Sequence, residues 1–167
     1  HAFFTQTCVK EDAVQAAWKP TFSRVLDAAQ QRGMFWMDTH NKPWLNQPAG
    51  DDQNKKAPDA VASARDGFPI HELVIAFHDN KASAPSGFSR DDQGKLFAYC
   101  VLVLEYYQRT RPFMPCSLFD GKYAQCFRVT RSRHPLQHPF YVDRSPVLDL
   151  SKPQDAQLYA AFLMDFD

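Results

Sequence analysis

The sequence predicts a mainly β domain with helical insertions in its loops, and three observations carry that expectation. Candidate strands are short and separated by Pro, Gly and Ser. Hydrophobic residues make up 44% and aromatics 14%, enough to bury a core and to exclude wholesale disorder. A length of 167 residues fits one domain, taken as residues 1–167.

Residues 10–32 read as a helical insertion. Ala13, Ala16, Ala17 and Trp18 share one face, and Pro20 must break or kink the helix. A second piece then runs through Val25, Leu26 and Ala29 to Gly33, which supplies a C-cap. Residues 38–60 are rich in Asp, Asn, Lys and Pro and form a long surface loop, a feature that is often functional in a small domain. Residues 70–78 (IHELVIAFH) are a buried strand, and 79–94 a polar loop. In LFAYCVLVLEYY (96–107) the Val-Leu-Val-Leu run and flanking aromatics favour strand over helix. Shorter strands follow at 123–130, 139–143 and 146–150. In the last seventeen residues, SKPQDAQLYAAFLMDFD, Ser151 with Gln154 resembles a capping box, and Pro153 suits a first helical turn. Ala156, Tyr159, Ala160 and Phe162 add helical spacing, so the local pattern there favours helix.

Lys and Arg total 19, as do Asp and Glu, so the formal net charge is zero. A protein whose main task is gripping phosphates is usually strongly basic, and on this ground no nucleic-acid partner is expected. The longest apolar run, Leu96 to Leu104, is half of the ~18 residues a membrane span needs, so no membrane partner is expected either. The four cysteines (Cys8, Cys100, Cys116, Cys126) are an even count that suits two disulfides of undetermined connectivity, and contain no C-x-x-C pair for a thiolate metal site. Numbering from His1 reads as signal-peptide cleavage, the alternative being a tag scar. Together these features predict a secreted, extracellular monomer.

Each of the six histidines has a bland reading to be weighed first. His134 and His138 lie among prolines and His40 in the long loop, where solvent exposure is the simplest account. His71 opens a strand. His78 ends the strongest apolar strand, where an isolated histidine is usually structural. Zincin, hydrolase-elbow and phosphate-loop motifs are absent from the sequence. His1 changes the weighting, because an N-terminal histidine offers two nitrogens, the α-amine and Nδ1. A second histidine opposite would complete three nitrogens with open tetragonal positions, a set that suits Cu(II).

An amino-terminal His, Ala76-Phe77-His78 at a strand end and Ala156-Gln157-Leu158-Tyr159 near the C-terminus together resemble the lytic polysaccharide monooxygenases. The resemblance implies an immunoglobulin-like antiparallel β-sandwich and a single copper ion held in a histidine brace by His1 and His78. It also implies Tyr159 as the axial ligand, Gln157 beside the oxygen-binding face, and a strand rather than a helix at the C-terminus. Ala2 stands where most members have Gly, and the 6 glycines are few for that family. The chain is therefore closer to a small divergent branch, such as the secreted oomycete enzymes that oxidise pectin.

The activity this implies is oxidative cleavage of glycosidic bonds in a plant cell-wall polysaccharide, with an external electron donor and O₂ or peroxide. His1, His78, Gln157 and Tyr159 would carry the chemistry. Between Tyr107 and His138, six basic residues face one acid, Asp120. Of these, Arg109, Arg111, Arg128, Arg131 and Arg133 are candidates for binding the carboxylates of polygalacturonan, the bland reading being a solvated face. Two alternatives remain from other classes: a copper-binding protein that oxidises no polysaccharide, and a small secreted effector or interaction protein.

Overall fold

The computed structural model describes residues 10–48, 55–82, 87–134 and 136–165. Two short helices come first, α1 (Glu11–Thr21) and α2 (Ser23–Gln31), divided at Phe22 just after Pro20. Gly33, at φ +81°, ends α2 with Met34 N–H donating to Ala29 O, as a left-handed C-cap requires. The strands are β1 (Phe35–Asp38), β2 (Ala60–Ser63), β3 (Val74–Asn80), β4 (Phe113–Phe119), β5 (Tyr123–Arg131), β6 (Phe140–Arg144) and β7 (Leu148–Asp149). Between β3 and β4 lies α3 (Arg90–Tyr106), and α4 (Pro153–Met164) follows β7.

All seven strands belong to one sheet, ordered β1-β2-β3-β4-β5-β6, with β7 pairing β5. The expected sheet with helices between its strands is present. Its packing partners are helices on both faces rather than a second sheet, and β3 and β4 run parallel, joined by α3 as a crossover. One face carries α1, α2 and α4 over Trp36, Ala62, Ala76, Phe119 and Ala124. The other carries α3 with Trp44 and Leu45 of the long loop over Val61, Phe77, Met114, Leu118 and Phe127.

Residues 96–107, expected as strand, are helical. Leu96, Cys100, Val103 and Leu104 are fully buried at i, i+4, i+7 and i+8. Val101 and Leu102 are half-buried, which makes the run look two-periodic. Ser89 Oγ accepts from Asp92 N–H and caps the start, with Asp91 and Asp92 in the first turn.

The C-terminal segment is likewise a helix, as the local pattern favours and against the strand the resemblance implies. Pro153 stands in the first turn, but Ser151 donates to Asp149 Oδ1 instead of forming a capping box.

Cys100, Cys116 and Cys126 are free thiols, so the expected two disulfides are not formed; Cys8 lies outside the described residues. The register explains part of this. Ser117 pairs with Cys126 and Cys116 with Phe127, so the Cys116 and Cys126 side chains leave opposite faces of the sheet. No described helix is long and apolar enough to cross a membrane.

Candidate active site

The residues singled out from sequence are only partly brought together. His78 and Tyr159 do meet, with Tyr159 Oη 3.4 Å from His78 Nδ1, but both are fully buried. His78 Nε2–H donates to Asn80 Oδ1 (2.9 Å), and its Nδ1 accepts from Ser117 Oγ (2.6 Å). Asn80 Nδ2 passes the chain on to Gln15 Oε1 of α1, and Trp18 Nε1 donates to Tyr159 Oη. Trp18 stacks on the imidazole at 4.3 Å. Burial pushes the His78 pKa down to about 3, against the hydrogen bond from its ring to Asn80, so the ring is neutral.

Both ring nitrogens are therefore committed, and the geometry fits a satisfied core histidine rather than a surface ligand. Gln157 is exposed on the far side of α4 from Tyr159, because two residues along a helix turn through about 200°. His1 lies outside the described residues.

The arginines divide in a similar way. Arg111 donates to Val74 O and Ile75 O, and Arg131 to Arg111 O, Leu104 O and Gln108 O, so both guanidinium groups clamp backbone carbonyls. Arg109, Arg128 and Arg133 are exposed, with Arg128 lying over the Phe113 ring.

A different constellation forms where β2 begins and β3 ends. Ala60 pairs with His78, so Asp59 stands directly across the ladder from Asp79. Each carboxylate holds backbone on the opposite strand: Asp59 N–H donates to Asp79 Oδ1 (3.0 Å), and the N–H of Asn80, the residue after Asp79, donates to Asp59 Oδ2 (2.7 Å). The strand's two-residue period places Lys81 on the same side as Asp79, and Nζ lies 3.7 Å from Asp79 Oδ2 and 4.0 Å from Asp92 Oδ1 of α3. His40 Nδ1 contacts Asp59 Oδ1 at 3.2 Å.

Both carboxylates are nearly closed to water, with Asp59 8% and Asp79 3% exposed. Burial, and then the neighbouring Asp59 charge, raises the Asp79 pKa to about 7, with the Asp59 N–H bond and Lys81 opposing and Glu11 of α1 adding to the rise. Like charges directly opposed on adjacent strands destabilise a sheet, so the pair is a local conflict that folding alone does not explain.

Among the described residues, no three His, Cys, Asp or Glu side chains form a ready-made metal cage. Two carboxylates are nevertheless what Mg²⁺ takes from a protein when waters and substrate phosphate oxygens fill the other positions. The two opposed, nearly buried carboxylates of Asp59 and Asp79 fit such an ion by donor type. None of Asp59, Asp79 or Lys81 was picked out by sequence reasoning. The usable signal was an Asp at the outer end of each of two apolar runs, Pro58-Asp59-Ala-Val-Ala and Val-Ile-Ala-Phe-His-Asp79, with a Lys two positions on.

No family model matches the chain, and no curated protein matches it. Among solved structures it is similar to a cryo-EM structure of a DrdV–DNA complex, with a TM-score of 0.51 over 95% of this chain at 14% identity. The matched part is 12% of that much longer chain, and the likeness is one of fold.

Proposed function

We propose that the chain is a divalent-cation-dependent hydrolase of phosphodiester bonds acting on DNA. One observation carries the reading: two buried carboxylates opposed across a ladder, with a lysine beside them. Asp59 and Asp79 would hold the cation, which when bound supplies a Lewis acid for the phosphoryl oxygens and for the attacking water. Lys81, fixed between Asp79 and Asp92, places a positive charge where the transition state gathers negative charge. The water's hydroxyl ends on phosphorus, the phosphorus–oxygen bond to one sugar breaks, and the second water proton ends on the departing oxygen. The structural neighbour's presence in a DNA complex supports the choice of substrate. Zero net charge over the whole chain leaves local attraction to the cation and Lys81.

The copper reading, with secretion and polysaccharide oxidation, rests on His1 and needs an open nitrogen on His78. The hydrogen bonds of that ring leave none free, and so the carboxylate site is favoured.

The test is incubation of the chain with plasmid DNA and Mg²⁺ or Mn²⁺. Nicked or linear product that disappears with EDTA and in Lys81→Ala is expected. Intact plasmid under all conditions, together with oxidised oligogalacturonides from pectin when copper and a reductant are supplied, would return the assignment to the histidine brace.

A further inference from the structure

Resting on the phosphodiesterase reading, we propose that His40 is a positioning residue that fixes Asp59 for cation binding. His40 leaves the sheet at the end of β1, in a turn whose bonds converge on the Pro58-Asp59 segment. Thr39 N–H donates to Asp59 O and Thr39 Oγ1 donates to Pro58 O, while His40 N–H donates to Asp38 Oδ1.

The ring is oriented from both sides. Asn41 Nδ2 donates to His40 Nε2 (3.0 Å), which makes Nε2 the acceptor and leaves the ring proton on Nδ1. That Nδ1–H then points at Asp59 Oδ1, 3.2 Å away. Asn41 is the one non-glycine among the described residues with positive φ, at +57°, a left-handed conformation that asparagine tolerates better than most residues. The turn is thus held in an uncommon backbone shape that presents His40 to the carboxylate.

With Oδ2 anchored by Asn80 N–H and Oδ1 by His40, the carboxylate plane is held from both oxygens, and each oxygen has lone-pair capacity beyond that one bond. A ligating carboxylate that is oriented by a hydrogen bond binds its ion more tightly than one that must be ordered on binding. His40 acts through Asp59, and the side chain is only one-third exposed, consistent with a support rather than a substrate contact.

Mn²⁺ binding to the full chain, read from the electron paramagnetic resonance of the free ion, tests this beside plasmid cleavage. His40→Ala should weaken Mn²⁺ binding and slow turnover by roughly tenfold each, with KM for the plasmid unchanged. His40→Asn should recover most of both losses, because its amide nitrogen can take the place of Nδ1. Wild-type Mn²⁺ affinity in His40→Ala, or equal losses in both variants, would overturn the role of His40 while leaving the site intact. A wild-type chain that neither binds Mn²⁺ nor cleaves DNA would overturn the site reading, and the role of His40 with it.

Discussion

Asp79→Asn is expected to abolish plasmid cleavage, by roughly 10³-fold or more, while making the cation-free protein more stable. The loss follows from removing one of two anionic ligands, since a bound cation supplies several kcal/mol of transition-state stabilisation. The gain follows from the raised pKa. The folded chain keeps the Asp79 proton up to about pH 7, whereas the ordinary value is 3.8. Between those values the folded state holds the extra proton, so stability declines as pH rises through the window, with the full cost present above 7. About three pH units at ~1.36 kcal/mol each bound the cost, and asparagine should recover about 2–4 kcal/mol at pH 8.

His78 runs the other way. It takes a proton near 6.5 when exposed and only near 3 when folded, so stability declines as pH falls below 6.5. Between about pH 4 and 6.5 these two single-proton slopes nearly cancel in the wild type. Asp79→Asn removes one of them, and its stability should fall by ~1.36 kcal/mol per pH unit below about 6.5. Urea titrations at several pH values in EDTA would show this. A variant no more stable than wild type at pH 8 would contradict the electrostatic account of the pair.

Trp18→Ala is expected to cost about 3–5 kcal/mol, a large fraction of the stability of a domain this size. Trp18 is almost wholly buried, stacks on His78, meets the edge of Trp36 at 5.5 Å and donates to Tyr159 Oη. Removing it opens a cavity and strips one covering group from the neutral imidazole. Trp18→Phe keeps a ring over His78 and loses the N–H, for about 1–2 kcal/mol. Urea midpoints measure both; a Trp18→Ala cost below about 1 kcal/mol would mean that α1 packs independently of the polar chain beneath it.

Much of the local structure was legible where periodicity was unambiguous. The α1–α2 pair, its division near Pro20 and the Gly33 cap follow from residue spacing, as does the helix after Pro153. α3 was misread because its half-buried Val101 and Leu102 fill the gaps in a helical stripe. β4 was missed because Pro115 argues against a central strand; it sits one residue before the first β3 pairing at Cys116, where that side of β4 has no paired partner. β1 and β2, four residues each, are too short to show a period. The order His1, His78, Tyr159 along the chain suggests a brace, but neither the layer that buries His78 nor the helix that turns Gln157 away is visible in a motif. Asp59 and Asp79 are twenty residues apart, and only the β2–β3 register makes them neighbours.

That register also sets an order of assembly. The β2–β3 hairpin closes a short loop, whereas the parallel β3–β4 pair must wait for α3 to cross over, and Tyr159 arrives last from the far end of the chain. The repulsion between the carboxylates is therefore met early, while the seal over His78 forms late. In stopped-flow measurements, Asp79→Asn should mainly accelerate folding and Tyr159→Phe mainly accelerate unfolding. If both variants changed only the unfolding rate, the hairpin would not be an early-forming part of this fold. With the expected split, escape from the folded state is governed by a helix remote from the carboxylates, so kinetic persistence can be tuned at α4 while Asp59 and Asp79 stay as they are.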